Sequence, residues 1–533
     1  RELGQLSPFE LEDHLIALAD VNLKRAAATM LNAGRGNPNW VATTPREAFF
    51  LLGQFGIDES RRSWDEYDDL GATASLDGIA ARLVRFLADH AQNSGAELLR
   101  ASLRHATERL GFGADEFVLE LTDAVTGDNY PLPVRMLRCV EKIVHEYLVQ
   151  ELCAGQRVEG GDFDLFAVEG GTAAMCYVFD SLVINKLLSP GDTVALMVPI
   201  FAPYLEIPRL DRYRFEVLPI QATKRTENGF HTWQYENDEL NKLADPSVKA
   251  LFVINPSNPP SVMLAPKASA RIAEIIATHN SGLLVVTDDV YATFVDGFRS
   301  LMSIVPRNTI GVYSFSKYFG ATGWRLGVIA VHPDNIFDEK IAVLSHDDRQ
   351  ALGERYATIT LEPERLKLID RLVADSRDVA LNHTAGLSTP QQAQMALFSL
   401  FALINPAESY KRNAREIIAR RLRALVNGIG VELPRDPLAA HYYVELDLLA
   451  WAQRNWGTDF CRWMQENFEP VDPIFRLAEQ HSVILLNGGG FDAPEWSVRI
   501  SLANLPRDSY QQIGAWLRTV GDSYKAQYDR RGA

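Results

Sequence analysis

Ser314-Phe315-Ser316-Lys317-Tyr318-Phe319-Gly320-Ala321-Thr322-Gly323-Trp324-Arg325 sets a lysine in a small, polar turn ahead of an arginine. A lysine amine is nucleophilic only when unprotonated, and burial beside other cations pushes it toward that form. Lys317 is therefore the candidate to condense with a carbonyl as a Schiff base. Ser314 and Arg325 then stand ready to hold a phosphate. Taken alone, a lysine on such a loop is usually a solvated surface residue.

Four more segments change that balance. Val168-Glu169-Gly170-Gly171-Thr172-Ala173-Ala174-Met175 reads as a strand end turning through two glycines into a helix, whose unpaired amides and positive end receive an anion. Asn255-Pro256-Ser257-Asn258-Pro259-Pro260-Ser261 follows the apolar strand 250–254. It is either a proline-fixed turn or a place for Asn258 to donate to a phenolate oxygen. Leu283-Leu284-Val285-Val286-Thr287-Asp288-Asp289-Val290-Tyr291 reads as a buried parallel strand that delivers Asp288 to the carboxyl end of a sheet. An aspartate there either caps a helix or pairs with a protonated ring nitrogen. Phe201, in Val198-Pro199-Ile200-Phe201-Ala202-Pro203-Tyr204, is either core or a ring-stacking residue.

The ordered set resembles the aspartate aminotransferase family of fold-type I pyridoxal phosphate enzymes, over most of the chain. The resemblance implies an α/β fold: a large domain with a mostly parallel seven-stranded sheet, a smaller α/β domain built from both chain ends, and helical insertions. Residues 1–60 are then the first part of the small domain with a substrate loop, 61–115 a helical insertion, 116–340 the large cofactor-binding domain, and 341–533 the rest of the small domain. It implies that Lys317 forms the Schiff base, that Asp288 meets the pyridine nitrogen, and that Tyr291 and Asn258 bond the ring oxygen. Gly170, Gly171, Thr172, Ser314 and Arg325 match phosphate-binding positions, and Phe201 the stacking position. Arg499, in Trp496-Ser497-Val498-Arg499-Ile500-Ser501, matches the arginine that clamps the substrate α-carboxylate bidentately. Without the family it is an ordinary arginine on a strand. Tyr130, in Gly127-Asp128-Asn129-Tyr130-Pro131, matches the tyrosine that reaches a neighbouring subunit's phosphate, which implies at least a dimer.

Composition agrees. A chain of 533 residues, 47% hydrophobic, holds substantial cores and roughly three to four units of about 150 residues. Its net charge of -16 argues against nucleic acid as a partner. Four cysteines, Cys139, Cys153, Cys176 and Cys461, lack metal-ligand or paired spacing, so we expect reduced thiols and no metal. No apolar run approaches about 18 residues, the length a membrane span needs. We expect a cytoplasmic protein without membrane contact. The first residue, Arg1, is no methionine, which reads as a trimmed end.

Ser7-Pro8-Phe9-Glu10 reads as a capping box opening a helix through residue 19, and Thr44-Pro45-Arg46-Glu47 as a second box. Between them Asn32-Ala33-Gly34-Arg35-Gly36-Asn37-Pro38-Asn39-Trp40 is a loop. It resembles the family's loop beside the substrate, placing Gly36 there, and Arg35 is either solvent-facing or set to meet a substrate carboxylate. Ile79, Leu83, Phe86 and Leu87, then Leu99, Leu103, Ala106 and Leu110, follow helical spacing. They read as packing stripes of an inserted helical pair, an oligomer contact or a cap. A further helix is expected over 134–152, and segments 385–392 and 441–447 resemble small-domain elements, the latter a strand.

The enlarged amino-terminal region, the Asn-Ala-Gly-Arg-Gly-Asn-Pro loop, and the variants around Gly170 and Lys317 resemble the aspartate 4-decarboxylase branch of the family. That implies conversion of L-aspartate to L-alanine and CO2 by way of a ketimine, with Lys317, Arg35 and Tyr291 catalytic and aminotransferase activity on the side. It also implies a homo-oligomer as large as a dodecamer. A plain aspartate aminotransferase is the alternative within enzymes. A transcription regulator on the same fold would need a basic winged helix, which the acidic first 70 residues do not supply, and an assembly protein would not need the lysine site.

Overall fold

The computed structural model describes residues 6–26, 30–64, 66, 68–223, 226–227, 230–377, 386–405, 408–433 and 435–531. At its centre lie β1 (Asp164–Val168), β2 (Thr193–Val198), β3 (Glu216–Gln221), β4 (Val248–Ile254), β5 (Leu284–Asp288), β6 (Thr309–Ser314) and β7 (Gly327–Val331). They form a seven-stranded sheet in the order β1-β7-β6-β5-β4-β2-β3. Only β7 runs against its neighbours, so the mostly parallel α/β sheet expected from the sequence is present.

The two faces of this sheet follow from side-chain alternation. Val194, Leu196, Ala250, Phe252, Leu284 and Val286 enter one core. Their neighbours Ala195, Met197, Leu251, Val253 and Val285 enter a second. With both faces covered, polar alternation is lost, as in the wholly buried β5 and β6.

Before the sheet come α1 (Pro8–Ala26), α2 (Thr43–Ser63), α3 (Ile79–Asp89), α4 (Ser94–Glu108), α5 (Ala114–Thr126) and α6 (Arg138–Leu152). Between β1 and β2 lies α7 (Gly171–Ile184), and the carboxyl part holds α8 (Thr389–Ile404), α9 (Ser409–Ile429) and α10 (Arg507–Asp529). Ser7 caps α1, its Oγ accepting the Glu10 amide at 3.5 Å, and the helix runs past residue 19. The second box is corrected: Ala42 precedes α2 without a side-chain cap bond, Thr44 Oγ1 lies 3.2 Å from Ser94 Oγ, and Glu47 also accepts from Ser94. Those side chains fasten α2 to α4 instead. The apolar stripes of α3 and α4 are buried at Ile79, Leu83, Leu87, Leu99 and Ala106, and α2, α4 and α5 pack on one another and on α8. The helix expected from residue 134 starts at Arg138, because its first amides find distant partners: Leu137 N donates to Gln392 at 2.8 Å and Cys139 N to Glu120 at 2.8 Å.

The last strands, β8 (Tyr443–Asp447), β9 (Leu486–Asn487) and β10 (Ser497–Ser501), form an antiparallel sheet in the order β8-β10-β9. Both chain ends meet there. Leu31–Asn32 pairs in parallel with Val483–Ile484, Ser501 N donates to Ala33 O at 2.8 Å, and Asn39 N to Ala503 O at 2.9 Å. Of the segment 385–392, Ala385 lies outside the described residues.

Candidate active site

Strands β1, β2, β4, β5 and β6 all finish at one edge of the sheet, and antiparallel β7 begins there. That edge is where ligands bind in open α/β sheets. It brings together the turns bearing Gly170, Phe201, Asn258, Asp288, Lys317 and Arg325, which the sequence scatters between positions 170 and 325.

Gly170 has a φ of +94°, and a Cβ there would strike the Arg325 guanidinium, with Cζ at 2.9 Å. The turn thus needs glycine to let the guanidinium lie against the amino end of α7. Arg325 itself is left-handed at φ +56°, and its Nη1 donates to Thr322 O at 3.0 Å. Ser314 Oγ lies 2.9 Å from Ser316 Oγ, and Gly171 is close to Ser314, whose Cβ is 3.7 Å from where a Gly171 Cβ would stand. Helix-end amides, two hydroxyls and a guanidinium are the chemistry that would cradle an anion. Ser316 is its unforeseen member, although it lies inside the stretch that decides the fold.

Asp288 is buried at the end of β5. Tyr204 donates to its Oδ2 at 2.8 Å and Val290 N to its Oδ1 at 3.2 Å. Burial pushes its carboxyl up, while the Tyr204 and Val290 hydrogen bonds and the nearby Lys317 charge oppose that rise. A buried carboxylate in this state seeks a cationic N–H. Sequence reasoning passed over Tyr204, whose signal is its place one helical turn beyond Phe201. Phe201 is half-buried and meets the Phe9 ring edge-on at 5.5 Å.

Lys317 Nζ donates to Gly36 O at 3.1 Å, and Tyr442 Oη donates to the same carbonyl at 2.9 Å. A Cβ at Gly36 would collide with the Tyr443 hydroxyl and come within 3.2 Å of Lys317 Nζ. Tyr291 Oη donates to Tyr443 Oη at 3.1 Å. Burial sets the Tyr291 and Tyr442 phenols well above the ordinary value. Burial pushes Tyr443 the same way, but Lys317, Arg499 and the Tyr291 hydrogen bond outweigh it and hold this phenol below the ordinary value. Neither Tyr442 nor Tyr443 was foreseen as a site residue, because on a β-strand adjacent tyrosines read as packing.

Arg499 is 1% exposed. Nη1 donates to Asn258 Oδ1 at 3.1 Å and Nη2 to Gly34 O at 2.7 Å, while Nε is buried without a hydrogen-bond partner. Its guanidinium lies over the rings of Tyr443 at 4.4 Å and Phe491 at 4.9 Å. Its cross-strand neighbour Glu445 is pushed up by burial to about 8 and is mostly neutral at pH 7. Arg499 is thus a buried cation whose cross-strand carboxyl is biased toward its neutral form, a state that an incoming carboxylate relieves. With Oδ1 turned to Arg499, Asn258 presents Nδ2 as a donor.

Two expected residues sit at the margin. Arg35 has a side chain 65% exposed, with Nε 3.9 Å from Glu12 Oε1, although the Gly34 and Gly36 carbonyls beside it face the site. Tyr130 is 68% exposed between α5 and α6, with Leu132 at 74%.

Residues 168–514 match the family model described as aminotransferase class I and II. Over 533 residues, all of this chain and 99% of the relative, the sequence is 48% identical to a bifunctional aspartate aminotransferase and L-aspartate beta-decarboxylase of a Pseudomonas species. An aspartate aminotransferase of Pyrococcus horikoshii is 30% identical over 161 residues, 30% of this chain and 39% of that one. Among solved structures, a double mutant of the Thermus thermophilus aspartate aminotransferase superposes with a TM-score of 0.56 at 18% identity, covering 95% of each chain. That last likeness is one of fold.

Proposed function

The chain belongs to the aminotransferase class I and II family, and we propose that it converts L-aspartate to L-alanine and CO2 by pyridoxal phosphate-dependent β-decarboxylation, with aspartate transamination as a side activity. The observation that carries this reading is the extent of the likeness. Identity to the enzyme named for both activities runs the length of both chains, α2 to α5 included. Identity to the plain aminotransferase does not.

The residues fit the cofactor. The cradle of Gly170, Gly171, Thr172, Ser314, Ser316 and Arg325 suits its phosphate, and a Cβ at Gly170 would displace the guanidinium from it. Asp288, oriented by Tyr204, would take the pyridine N–H. Asn258 and Tyr291 would bond the ring oxygen, Phe201 would cover a face, and Lys317 would hold the aldehyde carbon. When bound, the cofactor supplies a carbonyl for amine exchange and a ring that stores the electron pair released at the substrate.

The chain's own residues set the rest. Arg499 binds the α-carboxylate in a fixed plane and turns Cα–H toward Lys317, whose amine removes that proton and later returns one. The Gly36 carbonyl, shared by Lys317 and Tyr442, aims the amine. The β-carboxylate loses its charge as CO2 departs, so an ion pair made only in the ground state would raise the barrier. Arg35, at the lip and partly balanced by Glu12, suits positioning of that carboxylate or its water without a tight clamp. Exposed Tyr130 and Leu132 support a homo-oligomer of at least two chains, which we read as cytoplasmic.

The test is to mix purified protein, pyridoxal phosphate and L-aspartate without an oxoacid. We expect catalytic CO2 with equal alanine. A single half-turnover to oxaloacetate, leaving aminated cofactor, would instead identify a plain aminotransferase.

A further inference from the structure

We propose that Tyr443 is the acid that delivers a proton to the substrate β-carbon after CO2 has left, and so sets the partition between decarboxylation and transamination. The inference rests on the decarboxylase reading above. Alanine carries one more hydrogen on that carbon than aspartate, so a β-decarboxylase needs a proton donor for which a transaminase has no use.

Four observations select Tyr443. Its side chain is buried, and its hydroxyl stands beside Gly36 and Lys317. Its ring lies under the Arg499 guanidinium at 4.4 Å, next to the group that fixes the α-carboxylate. Tyr291 donates to Tyr443 Oη, not the reverse, so the Tyr443 proton is not spent on Tyr291 and stays available when Tyr291 turns its own proton to the ring oxygen of a bound cofactor. The adjacent phenol, Tyr442, just before this strand, spends its proton on Gly36 O. Guanidinium groups such as Arg499 and Arg35 are too weakly acidic to serve, and Lys317 is occupied at Cα. The groups facing the Tyr443 hydroxyl are Lys317, Arg499, Tyr291 and Tyr442; the two cations favour its ionised form against the cost of burial.

The step balances. The electron pair freed from the breaking Cβ–CO2 bond forms a Cβ–H bond with the phenol proton, and the O–H pair stays on Tyr443 as a phenolate beside Lys317 and Arg499. One solvent proton restores the phenol, so each turnover consumes one proton and releases one CO2.

The experiment compares wild type with Tyr443→Phe, both loaded with cofactor, on L-aspartate. We expect alanine and CO2 to fall about 10²–10⁴-fold, the usual reach of general acid catalysis, while oxaloacetate formation and succinate affinity change only a few-fold. In cofactor-free protein, near-ultraviolet titration should show a phenol ionising below the ordinary tyrosine range in wild type and its loss in the variant. An unchanged ratio of alanine to oxaloacetate would overturn the proposal. So would an equal loss of both activities with weakened succinate binding, which would make Tyr443 a mere support for Arg499. Wild type yielding only oxaloacetate would remove the decarboxylase reading and this inference together.

Discussion

Arg499 concentrates the logic of the site in one residue. A buried guanidinium that donates to Asn258 and Gly34 but keeps Nε unpaired is held in place by the protein, so a carboxylate bound there as we propose would need little further ordering of it. Replacing it by lysine removes the planar fork. We expect Arg499→Lys to lower kcat/KM for aspartate by roughly 30-fold to several thousand-fold, corresponding to about 2–5 kcal/mol for truncating a buried charge partner, with cofactor content unchanged by absorbance. Gly170 is a second point of dependence. An alanine there must hold a positive φ in a region that is essentially glycine-only, at a cost of about 1–3 kcal/mol, and must push Arg325 out of the cradle. Fluorescence titration should show cofactor affinity reduced at least about tenfold in Gly170→Ala, and an unchanged affinity would mean that Arg325 does not serve the phosphate.

At the scale of elements, the loop of residues 32–40 is held by the carboxyl part of the chain. Arg421 of α9 is buried; its Nη1 donates to Leu502 O at 3.0 Å and Ala503 O at 2.8 Å, and its Nη2 to Asn39 Oδ1 at 2.6 Å. Arg421→Met keeps the length but strands those carbonyls, at about 1–3 kcal/mol for each buried group left unsatisfied. We expect a lower Tm and a raised KM for aspartate, measured by calorimetry and initial rates; a raised KM without a Tm change would contradict this account. Such cross-chain ties mark the limit of what sequence reading reached. The turn of Lys317, the strand end at Asp288 and the glycines at the start of α7 were legible because each lies at the end of a local hydrophobic pattern. Tyr204, Tyr442, Tyr443 and Arg421 were not, since their roles depend on contacts between segments far apart in the chain. The Thr44 box failed for the same reason: its polar atoms found Ser94 across a helix pair before they found their own backbone.

For the whole molecule, buried carboxyls set the response to pH. Burial lifts Asp123 to about 6, helped by Asp128, and Asp289 to about 7, while Glu445 reaches about 8. Their unfolded values lie at 3.8 for aspartate and 4.5 for glutamate. Between the unfolded and folded values the folded chain binds more protons than the unfolded one, so stability falls as pH rises. The contribution is fully present below pH 4 or so and is lost progressively through about 6, 7 and 8. A chain of net charge -16 adds self-repulsion in the same direction. Calorimetry of the cofactor-free protein should therefore give a Tm that declines from pH 5.5 to 8.5, and Glu445→Gln should flatten the upper part of that decline. The same ionisation reaches the site, because a Glu445 carboxylate facing Arg499 across β8 and β10 competes with the substrate for its charge. KM for aspartate should rise above pH 8 or so in wild type and stay level in Glu445→Gln. A parallel rise in both proteins would assign the effect to another group and leave Glu445 a purely structural carboxyl.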